Sequence, residues 1–145
     1  MHRLRVIIFL LLLTSFPYTN AKEIDVISPR VGSRMVVDTE NNQVILFGGY
    51  TVEDSSNYFD DTWIFSPIDY PWTHLLIDGP SPRGAHSMAY NPEDGVILLF
   101  GGQSSYGKLG DTWQFNCDSE TWSEIETDIA PEGRGDSARA QCLLQ

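Results

Sequence analysis

Val44-Ile45-Leu46-Phe47-Gly48-Gly49 and, 53 residues further on, Ile97-Leu98-Leu99-Phe100-Gly101-Gly102 are the same short passage written twice. Ser28-Pro29-Arg30 stands ahead of the first and Ser81-Pro82-Arg83 ahead of the second, so that 28–49 and 81–102 share nine identities in 22 positions. Beyond them Asp61-Thr62-Trp63-Ile64-Phe65 recurs as Asp111-Thr112-Trp113-Gln114-Phe115 and Trp72 as Trp122, now at an offset of 50. The change of offset places the length difference between the glycine pair and the Asp-Thr-Trp, which marks that segment as a loop. A period of about 50 residues means one supersecondary unit per repeat, stacked on its neighbours.

Each unit resolves into four short strands, with no helical periodicity after residue 21. The first is predicted over Ser33–Asp38 and His86–Asn91, each followed by turn-forming residues. The second, Val44–Phe47 and Val96–Phe100, is continuously apolar, as a strand is when both of its faces are covered. In the third, Thr62–Ser66 and Thr112–Asn116, Trp and Phe stand two apart and so share a face. The fourth begins at Trp72 and Trp122. Its second copy carries Ser123, Glu124 and Glu126, a polarity suited to an outermost strand that must resist edge-to-edge pairing. Gly48-Gly49 and Gly101-Gly102 supply the positive φ and close backbone approach needed where the second strand leaves the packed centre.

With Arg30 and Arg83 at the repeat starts, the two Phe-Gly-Gly passages, the two Asp-Thr-Trp passages and the closing Trp72 and Trp122, the chain resembles the kelch-repeat family of β-propellers from about Ser28 onward. That resemblance implies an all-β fold of kelch-type blades: a partial propeller of about two four-stranded blades. Blade 1 is expected over 28–79 and blade 2 over 80–130, with a stray outer strand at 22–27 and a truncated third repeat at 131–145. In this register Gly48, Gly49, Trp63, Trp72, Gly101, Gly102, Trp113 and Trp122 are the structural signature. A propeller closes with several blades, each burying its faces on the next. Two blades therefore imply further ones, supplied by a longer gene product, by copies of the chain in a ring, or by another protein.

Residues 1–21 read as a secretory leader: Arg3 and Arg5, an apolar run from Val6 to Leu13, then Thr19-Asn20-Ala21 as the exit. The run is too short for a membrane span, so export is expected, with no span left after cleavage. The whole chain carries 9 basic and 20 acidic side chains, a net charge of −11, and the leader contributes two of the basic ones. Such a surface repels phosphate backbones and excludes nucleic acid as a partner. Cys117 and Cys142 admit either a disulfide in an oxidising compartment or two buried thiols.

Catalytic groups are sparse. His2 lies in the leader, His74 on a fourth strand, and His86 at a position where the kelch pattern often shows a structural His. The Tyr–Cys pair and two His ligands of the kelch-like copper oxidases find no counterpart, and no cofactor or metal is implied. Glu53-Asp54-Ser55-Ser56-Asn57 with Asp60-Asp61 lacks the alternation and glycine turn of a calcium loop. Arg134-Gly135-Asp136-Ser137 spells an adhesion tetrapeptide whose Arg-Gly the repeat itself supplies.

What remains is binding. The resemblance implies that loops joining second to third strands (Tyr50–Asp60, Gln103–Gly110) share a face with loops joining successive blades (Asp78–Gly84, Asp128–Gly135). Tyr50, Asn57, Tyr58, Gln103, Ser105 and Tyr106, with Arg83 and Arg134 once per blade, are the candidate contacts for a protein or carbohydrate partner. The leading expectation is a non-enzymatic binding or scaffold module. The alternative is a fragment of a secreted carbohydrate-active enzyme similar to sialic-acid epimerases, with the arginines facing an anionic sugar.

Overall fold

The computed structural model describes residues 26–68 and 72–126. The leader, the third-repeat segment, Arg134 and Cys142 lie outside the described residues. Eight strands form two four-stranded antiparallel sheets: β1 (Arg34–Asp38), β2 (Gln43–Phe47), β3 (Thr62–Phe65) and β4 (Thr73–Leu75) in the first, and β5 (Ser87–Asn91), β6 (Val96–Ser104), β7 (Gly107–Asn116) and β8 (Thr121–Ile125) in the second. Each sheet is a simple meander, every strand pairing with the next in sequence.

Register shows why the second strands are apolar throughout. Val36, Ile45, Ile64 and Thr73 are cross-strand partners on one face of blade 1, while Val37, Val44 and Phe65 line up on the other. In blade 2 the row Tyr90, Ile97, Phe115 and Trp122 faces blade 1. The core lies between the sheets, where Ile45, Phe47 and Ile64 meet Ile97, Leu99, Phe115, Cys117 and Trp122. Trp122 sits at the seam. Its ring centroid is 5.2 Å from Phe47 and 5.1 Å from Phe115, and its indole N–H donates to Thr62 Oγ1 of the other blade at 3.0 Å.

Repeat equivalence identifies the faces left over. Met88 and Tyr90 pack on the core, whereas Met35 and Val37, their counterparts in blade 1, are 62% and 55% exposed. Among the described residues no blade lies on that face. The same step of the repeat that seats blade 2 on blade 1 would seat a further blade there.

Sequence and structure part company at the second Gly-Gly. The segment Gln103–Gly110, expected as a loop, belongs to a hairpin. A register shift between Phe100 and Gly102 lets β6 pass through the glycines and keep pairing, Gly102 with Leu109, Gln103 with Lys108 and Ser104 with Gly107. The glycine pair of blade 1, at φ of 64° and 103°, is passed in the same way, with Phe59 N–H donating to Gly49 O at 2.8 Å, but there pairing resumes only as the single Tyr50–Tyr58 bridge. Gly101 and Gly102 have φ of 62° and 107°.

Candidate functional site

The repeated arginines are placed by their own blades. Arg30 Nη1 and Nη2 donate to Asp61 Oδ1 and Oδ2 at 2.5 and 2.9 Å, and Nη1 also reaches Gly48 O at 3.1 Å. Arg83 repeats this with Asp111 at 2.6 and 2.7 Å and Gly101 O at 3.1 Å. Each aspartate takes a further hydrogen bond from the indole two residues on, Trp63 at 2.7 Å and Trp113 at 2.8 Å. Burial alone would raise the Asp61 and Asp111 carboxyls; the bonds from arginine and indole outweigh it and hold both below the ordinary carboxylate value. One motif thus joins the repeat start, the glycine pair and the third strand.

This corrects the expectation for Arg83 as a binding residue. Its side chain is 0% exposed and saturated with acceptors, so it offers nothing to a ligand. Its backbone stitches the blades: Arg83 N–H donates to Phe59 O at 3.0 Å, Arg83 O accepts from Gly49 N–H at 2.8 Å, and Ala85 N–H donates to Gly32 O at 2.8 Å. Arg30 is held similarly, with its guanidinium also 4.0 Å from the Phe59 ring centre.

At the end of the sheets where the glycine pairs lie, Tyr50 and Tyr58 of blade 1 come together with Gly84 and Gln103 of blade 2, while Asp128–Gly135 lies outside the described residues. Tyr50 forms bridges with Val31 and Tyr58, and its ring lies 5.5 Å from that of Tyr58. Gly32 and Gly84 leave the space for the Tyr50 ring, since an added Cβ at either would stand 2.7 or 2.8 Å from it. Gln103 occupies the position in blade 2 that Tyr50 holds in blade 1, bridged to Gly84 through bonds of 2.9 and 2.8 Å. Asn57 is exposed in a loop that closes on itself: Asp54 Oδ1 accepts from Ser56 N–H and Oγ–H at 2.9 and 2.6 Å, which lowers the Asp54 pKa. Ser105 and Tyr106 form the tip of the β6–β7 hairpin, braced by Ser104 Oγ, which accepts from Tyr106 N–H at 3.1 Å. Tyr106 is 99% exposed. The rim is therefore one aromatic pair, one amide and one free tyrosine on a rigid base.

Beside this rim lies a groove of about 850 Å³ between β4, the crossing to blade 2 and the start of β8. Asp60, Leu76, Ile77 and Asp78 line it, with Trp122 at its wall. Sequence reasoning missed this groove. The signal available was Leu75-Leu76-Ile77, an apolar run on an outermost strand.

His86 is buried with neither ring nitrogen hydrogen-bonded, edge-on to Phe47 at 5.5 Å. Burial, then the nearby Arg83 and Arg34, push its pKa down to about 3, so it is a neutral packing group. His74 stacks on Trp63 at 4.7 Å. Cys117 is a buried free thiol raised to about 12, by burial first and Asp38 second. Among the described residues no three His, Cys, Asp or Glu side chains come together as a metal-binding group.

Two stacked meander sheets with a core between them and a loop rim at one end define a set of propeller blades. The kelch-repeats domain of the KLHDC2/KLHL20/DRC7 type matches residues 12–143, and the chain belongs to the kelch-repeat family. It is 33% identical over 112 residues to the flagellar outer-arm dynein alpha chain of Chlamydomonas reinhardtii, covering 73% of this chain and 2% of that protein. It is 27% identical over 113 residues to the host cell factor homolog hcf-1 of Caenorhabditis elegans, covering 69% of this chain and 14% of that protein. Among solved structures that of YjhT superposes with a TM-score of 0.58 at 15% identity, over 69% of this chain and 39% of the other, a likeness of fold. The chain thus spans a small part of the curated relatives it matches. Kelch repeats generally mediate protein binding.

Proposed function

We propose that this chain is an exported, non-enzymatic kelch module that holds a protein or glycan partner on its loop rim, as part of a propeller whose remaining blades come from a longer product or from other chains. The observation that carries the reading is the β6–β7 hairpin, which raises a 99% exposed Tyr106 from the end of the sheets that also holds the Tyr50–Tyr58 pair. Aromatic residues on a rigid base lose little conformational freedom on binding and contribute large contact areas. The alternative of a sialic-acid epimerase-like enzyme is weakened by the state of Arg30 and Arg83, whose guanidinium groups are already paired to aspartates.

A photo-crosslinking residue placed at Tyr106, and separately at Glu93 on the opposite end of blade 2, tests the rim in medium conditioned by cells secreting the protein. The reading expects adducts from position 106 and none from 93; equal capture, or none at 106 together with no signal on a glycan array, rejects it. N-terminal sequencing of the secreted protein is expected to begin at Lys22. Conversion of sialic-acid anomers followed by NMR would favour the enzymatic alternative.

A further inference from the structure

The two blades carry an internal control for their outermost strands. β4 and β8 occupy equivalent places, each the last strand of its sheet with one backbone edge unpaired among the described residues. In β8 and just beyond it that edge is guarded by the exposed Ser123, Glu124 and Glu126. At the matching positions β4 and its continuation carry Thr73, His74 and Leu76. Leu76 is 87% exposed, and Ile77 beside it is exposed as well. Proteins charge or shorten exposed edges because an open row of N–H and C=O groups templates pairing with another strand. Here one copy keeps two glutamates, and the other has in their places a histidine stacked on Trp63 and an exposed leucine.

The charges around this edge are one-sided. Asp60 and Asp78 flank the groove that β4 and its continuation help to line, and neither side chain has a hydrogen bond or ion pair among the described residues. Among the described residues no lysine or arginine lines the groove. An unpaired backbone edge calls for an extended chain, the leucine and isoleucine for aliphatic side chains, and the two aspartates for cations.

We infer that β4 is a docking edge for an extended peptide segment carrying alternating aliphatic and basic residues, which adds to blade 1 as a fifth strand. Main-chain hydrogen bonds supply affinity in this mode and alternate side chains supply specificity. The site is built on the outer edge of blade 1 and uses none of Tyr50, Tyr58, Gln103 or Tyr106, so it does not rest on the function proposed for that rim.

The probe is a fluorescein-labelled peptide of alternating lysine and valine, titrated against the full chain by anisotropy. Binding is expected, weakening with salt. Leu76→Lys, which restores a charged guard at an exposed position, is expected to weaken it by about tenfold or more. Asp60→Asn with Asp78→Asn should weaken it and flatten the salt dependence, and the peptide N-methylated at alternate residues should fail to bind. Tyr106→Ala should leave it unchanged. Equal binding of the N-methylated peptide or by Leu76→Lys overturns the inference, as does loss of binding in Tyr106→Ala. A chain that dimerises in sedimentation without peptide, and stops doing so as Leu76→Lys, would assign the edge to a second copy and also overturn it.

Discussion

Replacing Arg83 by Met would remove a side chain of similar length that makes five hydrogen bonds: two to Asp111, two to Ser81 and one to Gly101 O. Methionine fills much of the space, so the cost is chiefly electrostatic. Asp111 would keep the Trp113 indole N–H as its remaining side-chain donor while three-quarters buried, its side chain 25% exposed. Breaking a buried pair from one side costs about 3–5 kcal/mol, and the partial exposure of Asp111 places the expectation near the lower end, about 3 kcal/mol. Urea unfolding followed by tryptophan fluorescence, with the slope unchanged, measures it. The double variant Arg83→Met/Asp111→Leu removes both charges and should be less destabilised than the two single changes summed. A cost below about 1 kcal/mol for Arg83→Met, the worth of an exposed surface pair, would refute the reasoning; so would strict additivity in the double variant. Asp111 also sets an acid limit. Its folded pKa is depressed, so its contribution is complete above the ordinary value of 3.8 and is lost as the pH falls through the folded value.

Three further outcomes are expected. His86, with a folded pKa near 3 against an ordinary 6.5, favours the unfolded chain once protons are available, so stability should fall as the pH drops from about 6.5 toward 3. The slope approaches about 1.4 kcal/mol per pH unit, and His86→Phe should flatten it in pH-dependent thermal melts. Gly102→Ala combines a φ of 107° with a Cβ at 2.9 Å from both Gly84 O and His86 Cβ, and should cost more than Gly107→Ala, where φ is 127° and nothing stands within 4 Å; comparison of their melting temperatures checks the order, the strain common to both being about 1–3 kcal/mol. Trp122→Phe keeps an aromatic ring between Phe47 and Phe115 but removes the donor to the buried Thr62 hydroxyl, for a loss of about 1–2 kcal/mol in the same unfolding assay.

The all-β class, the two blades and their strand order are legible in the amino-acid sequence because they depend on short-range patterning. Apolar runs such as Val44–Phe47 and the Trp63/Phe65 spacing repeat with the period of the blade, and a repeated unit must pack the same way each time. Even so, the identical passages Phe47-Gly48-Gly49 and Phe100-Gly101-Gly102, which take the same backbone, are followed by different lengths of pairing: a single Tyr50–Tyr58 bridge in blade 1 and a continuing ladder to Ser104–Gly107 in blade 2. The choice depends on the connection each strand has to make, a long loop in blade 1 and a tight turn in blade 2, which the three residues themselves do not encode. The arginines show the same division. Their recurrence points to a structural role, but only the fold shows that Asp61 and Asp111, about 30 residues away in sequence, are within hydrogen-bonding distance and that Arg83 is sealed from solvent. The rim residues could be named from the sequence, but their exposure and that of the β4 edge belong to tertiary structure, because exposure is decided by which neighbour arrives on each face and edge of a sheet, and a strand's own residues cannot specify that.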